Sequence, residues 1–124
     1  MPLITNSSGS LALATVARQL EAWKARDLET FMSCWRADAC IFAFPDQLLA
    51  QGEAQIRARY SVRFAEPWHG AQLLHRLVVG RVVVDHERVT RSCSDGPEQV
   101  MVIAIYEVDD AGLIASARFA DAPV

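Results

Sequence analysis

The sequence predicts an α+β domain in which helices precede an antiparallel sheet. Apolar residues recur at helical spacing up to Phe64, whereas β-branched residues dominate and the period changes to two from Gln72 onward. Turn-forming residues divide the second half into four strands, at Gly80-Arg81, Ser94–Pro97 and Asp109–Gly112. Helices grouped ahead of hairpin strands are typical of an architecture with all helices on one face of the sheet.

The size and charge of the chain limit its function. With 124 residues it is long enough for one core and too short for two, so we expect a flexible leader over residues 1–10 and one domain over residues 11–124. Its formal net charge of −3 does not suit nucleic-acid binding. No apolar run approaches the length of a membrane span, and no secretory signal is visible. Three cysteines without metal-type spacing fit reduced thiols, so we expect a cytoplasmic protein with neither a membrane nor a nucleic-acid partner.

Helix-capping residues and residues that interrupt regular structure predict the helices and strands in the first half of the chain. Asp27 is a good N-cap, Pro45 ends a short strand, and Gly52 precedes a helical stretch. The predicted elements are an amphipathic helix over 13–23, a helix over 28–37, a strand over Cys40–Phe44 and a helix over Glu53–Phe64.

A tight turn at Gly80-Arg81 predicts the register of the first long hairpin. Counting outward from it pairs His75 with His86 and Arg76 with Asp85. Paired residues share a face of the sheet, so the two histidines lie together on one face, and the ion pair lies on the other with Glu87.

Several short motifs occur in an order that resembles the nuclear-transport-factor-2-like superfamily, and within it the SnoaL-like polyketide cyclases and the ketosteroid isomerases. The resemblance covers roughly Leu11 to Asp121. The motifs of the first half are Asp27-Leu28, Phe31, Trp35, Asp38-Ala39, Pro45, Gly52, Ile56-Arg57 and Tyr60, and the end of the chain adds Ile105–Val108, Gly112–Ile114 and Arg118-Phe119.

This resemblance implies a cone-shaped, curved antiparallel sheet wrapped around the N-terminal helices, a cystatin-like α+β barrel roll. It implies a pocket between the concave face of the sheet and the helices, and a homodimer formed through the sheet. It does not imply one reaction, because the superfamily includes isomerases, cyclases, dehydratases, hydrolases and non-catalytic domains. The residues expected between two copies are Leu74, Val78, Val83, Val89, Ile103 and Ile105.

The sequence departs from the ketosteroid isomerase pattern at the reacting positions. Phe44 stands where the resemblance would place the general-base aspartate. Gln19 falls near the position of the oxyanion tyrosine, and Ala104 near that of the protonated aspartate. Because an enolate would lack its donors, we do not expect ketosteroid isomerisation by that set of residues.

The candidate acid/base residues are His75, His86 and Asp121. The resemblance places the two histidines in the pocket, where neutral imidazoles suit proton transfer near neutral pH. It also suggests an acid on a late strand, as SnoaL-like cyclases use. On this interpretation Arg76 and Asp85 form an ion pair on the outer face or at the dimer interface. Two other interpretations stay open, a structural cross-strand histidine pair and a metal site completed by the carboxylate.

The candidate ligand-binding residues combine aromatic rings with cations. Arg59 and Arg63 share a helix face with Tyr60, which suits an anionic ligand, although arginines at such positions also extend to solvent or pair with Glu53 and Glu66. The full set is Gln19, Trp23, Phe44, Arg59, Tyr60, Arg63, Arg88 and Tyr106.

The expected function is that of a cofactor-independent isomerase, cyclase or lyase that acts on a small, largely apolar or carboxylated molecule. The sequence has no glycine-rich phosphate loop, no nucleophile motif and no zinc spacing. The alternative is a non-catalytic, dimeric ligand-binding or interaction module of the same fold.

Overall fold

The computed structural model describes residues 7–124, which form three helices and six strands. In chain order the elements are α1 (Ser7–Lys24), α2 (Leu28–Ser33), β1 (Trp35–Ala43), β2 (Gln47–Gln51), α3 (Glu53–Phe64), β3 (His69–Val79), β4 (Val82–Cys93), β5 (Gly96–Val108) and β6 (Ile114–Pro123).

The strands form one curved, unclosed sheet in the order β2-β1-β6-β5-β4-β3. Every neighbouring pair is antiparallel except β1 and β6, which are parallel. The α+β class and the curved sheet around N-terminal helices are therefore confirmed.

The first half differs from the sequence prediction in three ways. Asp27 caps α2 by accepting a hydrogen bond from the Thr30 backbone N–H, but the helix ends at Ser33 and Trp35 begins a strand. Strand β2 has no counterpart in the prediction, because its polar and apolar residues do not alternate. Helix α1 begins at Ser7, so the last residues of the expected leader are helical, whereas residues 1–6 lie outside the described chain.

The hairpin of β3 and β4 has the predicted register near its turn. Gly80 has a positive φ of 56°, which a side chain would strain, and the pairs Arg76–Asp85 and His75–His86 form as expected. Beyond them the register shifts between Leu73 and His75, so that Leu73 lies opposite Glu87. Such a bulge leaves one residue unpaired and bends the strand.

The faces of this hairpin are exchanged relative to the prediction. Asp85 is fully buried and Glu87 is 6% exposed, whereas Leu77 is 66% exposed and Val79 is 77% exposed. The helices cover the face that carries the carboxylates, and His75 and His86 lie on the outer face. The prediction was wrong because both faces carry nearly the same number of aliphatic residues, so alternation did not identify the covered one.

The core is an aromatic cluster between the helices and the sheet. The ring of Phe31 packs 4.5 Å from that of Tyr60, 5.3 Å from that of Phe64 and 5.8 Å from that of Trp35, measured between centroids. Trp35 in turn packs against Tyr106 at 6.4 Å. These rings join α2, α3, β1 and β5, and three of them, Phe31, Tyr60 and Tyr106, also line a cavity.

Candidate functional site

A cavity of about 190 Å³ lies between the helices and the concave face of the sheet. Its wall is mainly apolar, with a few polar groups from each layer, as is usual for small-molecule sites. The lining residues are Gln19, Leu20, Trp23, Phe31, Ala43, Leu49, Arg59, Tyr60, Arg63, Glu87, Val89, Arg91, Val100, Val102, Tyr106, Phe119 and Asp121.

Glu87 is the buried acid of the cavity wall. Strand β4 directs it inward between two valine-bearing strands, and its Oε2 atom is buried without a hydrogen-bond partner among the described residues. Burial and the neighbouring charge of Asp85 raise the pKa of Glu87 from 4.5 to about 7, and Arg76 opposes this only in part. At neutral pH the side chain therefore exchanges readily between its acid and carboxylate forms.

Asp85 and Arg76 form a buried ion pair beside Glu87. Arg76 donates from Nε to Oδ1 at 2.6 Å and from Nη2 to Oδ2 at 2.8 Å, a bidentate arrangement. Both oxygens of Asp85 are bound by Arg76, and this pair contributes to the balance of charge around Glu87. The carboxyl oxygen that lacks a hydrogen-bond partner among the described residues belongs to Glu87.

Two tyrosines place hydroxyl groups in the same cavity. Burial raises the pKa of Tyr60 to about 12, although the nearby charges of Arg59 and Arg63 act in the opposite direction. Burial, with added repulsion from Glu87, raises the pKa of Tyr106 well above its usual value. Both phenols therefore stay protonated near neutral pH and are able to donate hydrogen bonds to a ligand.

Trp23 closes one side of the cavity and is held by His69. The two rings stack with centroids 3.8 Å apart and planes inclined by 24°. The ring nitrogens of His69 lie 2.5 Å from the carbonyl oxygen of Trp23 and 3.3 Å from that of Arg63. This histidine thus fastens the ends of α1 and α3 together beside the cavity.

Seven of the residues singled out in the sequence line this cavity. Asp121 lies in the same row of the sheet as Glu87, with Val102 paired to each of them, so their backbone positions are two interstrand spacings, or about 10 Å, apart. Asp121 is exposed and lies 3.7 Å from Arg91. The seven are Gln19, Trp23, Arg59, Tyr60, Arg63, Tyr106 and Asp121.

Four predicted residues do not line the cavity. His75 and His86 are neighbours, with ring centroids 5.5 Å apart and planes inclined by 12°, but they lie on the outer face. Arg88 follows the same alternation, and Phe44 is 56% exposed after the end of β1. Their placement in the pocket was wrong, because helix packing selects the other side of β4.

Sequence reasoning assigned Asp85 and Glu87 to the wrong side and so missed the acid of the cavity. The pattern Asp85-x-Glu87 in a valine-rich strand is a usable signal, since carboxylates on one face of a β-branched strand need either solvent or a site. The pairing of Asp85 with Arg76 was predicted correctly, but as an outer pair. What distinguishes the two sides is burial by the helices.

Over residues 7–124 no group of three or more His, Cys, Asp or Glu side chains is arranged to hold a metal ion. None of the helices in that range has the length and hydropathy needed to cross a membrane.

Comparisons with known proteins agree with this fold. The chain is similar to a cystatin-fold protein from Novosphingobium aromaticivorans, with 26% identity, a TM-score of 0.76 and coverage of 87% of this chain and 96% of the other. It is similar to an epoxide hydrolase of the LEH-like type from Mycobacterium tuberculosis, with 16% identity, a TM-score of 0.79 and coverage of 92% and 84%. A third structure, from Mycobacterium tuberculosis in complex with estradiol-17beta-hemisuccinate, has 18% identity, a TM-score of 0.77 and coverage of 88% and 92%.

The family assignment comes from the sequence. A comparison with curated protein sequences gives no match. The family model described as a SnoaL-like domain matches residues 16–117, which is most of the chain and includes all three helices in whole or in part and the cavity strands β4 and β5. This chain therefore belongs to the SnoaL-like domain family, within the nuclear-transport-factor-2-like superfamily.

Proposed function

We propose that the cavity binds a small, largely apolar molecule and that Glu87 exchanges a proton with it, as in a cofactor-independent isomerase, cyclase or lyase. The observation that carries this proposal is one buried carboxyl group in the cavity wall with an unpartnered oxygen and a pKa of about 7. A pKa near the working pH is what general acid–base catalysis requires.

The surrounding groups suit proton transfer next to a carbonyl. The carboxylate form of Glu87 would remove a proton from the carbon beside the carbonyl. The electron pair of that C–H bond would form a carbon–carbon double bond, and the π electron pair of the carbonyl would move onto its oxygen. The Tyr106 hydroxyl, which stays protonated, would donate a hydrogen bond to the resulting enolate oxygen. In a substrate with a β,γ carbon–carbon double bond, return of the proton from Glu87 to the γ carbon would complete an isomerisation and restore the carboxylate.

The cavity volume limits the size of the substrate. A cavity of about 150 Å³ in another protein holds one benzene molecule, so about 190 Å³ suits a single ring with a short substituent. The epoxide hydrolase and the steroid complex among the similar structures support a small-molecule site in this fold, but their low identity does not transfer their substrates.

The test is exchange of the methyl protons of acetophenone in deuterated buffer, followed by NMR. We expect the protein to accelerate this exchange, with a rate that increases with pH as Glu87 loses its proton near pH 7. Glu87→Gln keeps the shape of the side chain but removes the base, and it should reduce the protein-dependent rate by about 100-fold or more.

His86→Gln is the matched control, because it changes a titratable residue of the same strand on the outer face. It should leave the exchange rate unchanged. The proposal fails if the wild-type protein does not accelerate exchange, or if Glu87→Gln exchanges as fast as the wild type. Asp121, at the rim, is retained as a second acid/base candidate, and Asp121→Asn should then reduce the rate as well.

The second candidate function is a non-catalytic ligand-binding module. It is favoured by Phe44, Gln19 and Ala104, which occupy the positions where a ketosteroid isomerase would carry its reacting groups. In that case acetophenone would bind in the cavity, and its protons would not exchange faster than in buffer.

We further propose a homodimer formed through the outer face of the sheet and a cytoplasmic location. Exposed apolar residues on that face, among them Leu77, Val79 and Ile103, support the dimer. The three free cysteines support a reducing compartment. Sedimentation velocity at micromolar concentration is expected to give the mass of two chains.

A further inference from the structure

The mouth of the cavity carries two arginines that have no carboxylate partner among residues 7–124. They are Arg59 and Arg63, on the side of α3 that lines the cavity. Arg57, on the same helix, lies 2.6 Å from Glu29 and 3.4 Å from Glu53. The contrast within one helix shows that carboxylates are available at this surface but do not reach the cavity side.

Both unpaired guanidinium groups act on the interior of the cavity. They are partly buried, and their charges oppose the increase in the pKa of Tyr60, a phenol of the cavity wall. The remaining arginine of the mouth is already engaged, because Arg91 lies 3.0 Å from Glu98 and 3.7 Å from Asp121. Two positive charges that no carboxylate of the described residues pairs with thus lie at the same cavity.

The buried part of the cavity wall has different chemistry from the partly exposed arginines. Glu87 and Tyr106 are both buried there, and they suit a neutral oxygen such as a carbonyl. An anion placed near Glu87 would be repelled by its carboxylate form and by Asp85, so an anionic group is favoured only beside the arginines. The cavity therefore has partly exposed cations and a buried acid in its wall.

We propose that Arg59 and Arg63 bind the carboxylate of the ligand, and that the substrates of this protein are small one-ring carboxylic acids whose carbonyl group points toward Glu87. This inference rests on the proposed function of the cavity and adds its substrate class. A guanidinium group donates two parallel hydrogen bonds to a carboxylate, which gives both affinity and orientation. A singly charged group suits a chain of net charge −3 better than a doubly charged one.

The test compares two probes of the same shape, para-acetylbenzoate and para-acetylbenzamide, by titration calorimetry. The carboxylate is expected to bind about tenfold more tightly than the neutral amide at low salt, and this preference should decrease as salt is added. The double variant Arg59→Gln/Arg63→Gln should lose the preference and leave the affinity for the amide within about twofold of the wild type.

Arg57→Gln is the control, because it removes a cation from the same helix outside the cavity. It should keep the preference for the carboxylate. Equal affinity of the wild type for the two probes, or a preference that survives in the double variant, would overturn the inference while acetophenone exchange still supported the role of Glu87. Failure of both probes to bind at millimolar concentration would overturn the ligand class itself.

Discussion

The two faces of β4 carry similar residues in very different surroundings. On the concave face Asp85 and Glu87 lie between Val83 and Val89 beneath the helices. On the outer face His86 lies among aliphatic residues that are more exposed. Glu87 acquires a pKa near neutrality because removal from water and the charge of Asp85 both disfavour its carboxylate form. Burial combined with the lack of a hydrogen-bond partner for one oxygen therefore distinguishes Glu87 from Asp85, which is equally covered but paired with Arg76.

The largest effect is expected from breaking the buried ion pair of the concave face. Arg76→Leu leaves the fully buried carboxylate of Asp85 without its partner, and it should lower the free energy of unfolding by about 3–5 kcal/mol at pH 7. Urea denaturation followed by circular dichroism would measure this loss. Arg81→Leu breaks the surface pair with Asp110 and should cost less than about 1 kcal/mol.

A double variant separates the charge from the packing in this prediction. Arg76→Leu/Asp85→Leu replaces both partners by apolar groups and should recover most of the lost stability. If the single variant is as stable as the wild type, Asp85 has access to solvent and the contrast between the two faces disappears.

The next largest effect concerns the free energy of unfolding that the protein loses when the buried side chain of Glu87 is ionised. Its pKa is 4.5 in the absence of burial and about 7 in the folded chain, so folded protein binds the proton more tightly between these values. The free energy of unfolding therefore decreases as pH increases through this range, and a cost on the order of 3 kcal/mol is fully present above pH 7. Glu87→Gln removes the charge and should be more stable than the wild type by about 2–3 kcal/mol at pH 8.

The pH dependence distinguishes this effect from a change in packing. Near pH 4 both proteins are neutral at this position, so the two free energies of unfolding should agree within about 0.5 kcal/mol. Glu107→Gln, on the exposed outer face of β5, serves as the control and should show no comparable gain at pH 8. A constant difference between Glu87→Gln and wild type across this pH range would contradict the assigned pKa.

The smallest effect is expected on the outer face and concerns assembly rather than folding. Leu77 is 66% exposed, and Leu77→Glu places a charge in the proposed dimer interface. The dimer should weaken about tenfold or more by sedimentation equilibrium, because two like charges would be brought together and desolvated. Leu48→Glu, at an exposed position of β2, should leave assembly unchanged, and a wild-type monomer would remove the basis of this prediction.

Local features of the chain were sufficient to predict much of the fold. The N-cap at Asp27, the helix after Gly52 and the tight turn at Gly80-Arg81 depend on neighbouring residues, and all three are present. Strand β2 and the early end of α2 were not predictable in this way. Strand β2 forms by pairing with β1, and α2 ends early because β1 begins at Trp35. Strand β1 itself lies beside β6, which is at the other end of the chain.

The candidate site also contains residues whose position could be predicted from the sequence and residues whose position could not. Residues on the helices, such as Trp23, Arg59 and Tyr60, were placed at the cavity correctly, because an amphipathic helix has one apolar face and therefore one direction to bury. The long hairpin has aliphatic residues on both faces, so its inward side was not determined by its own pattern. Glu87 was misplaced for this reason.

The amino-acid sequence was enough to predict the class of fold, the order of its elements apart from β2, and the partners across the first hairpin, including His75 with His86 and Arg76 with Asp85. These properties follow from periodicity, caps and turn chemistry, which act over a few residues. Which face of β4 is covered follows from helix packing. It depends on contacts of α1 with β3, β4 and β5, which lie far away in the chain, and it makes Glu87, instead of the histidine pair, the acid of the cavity.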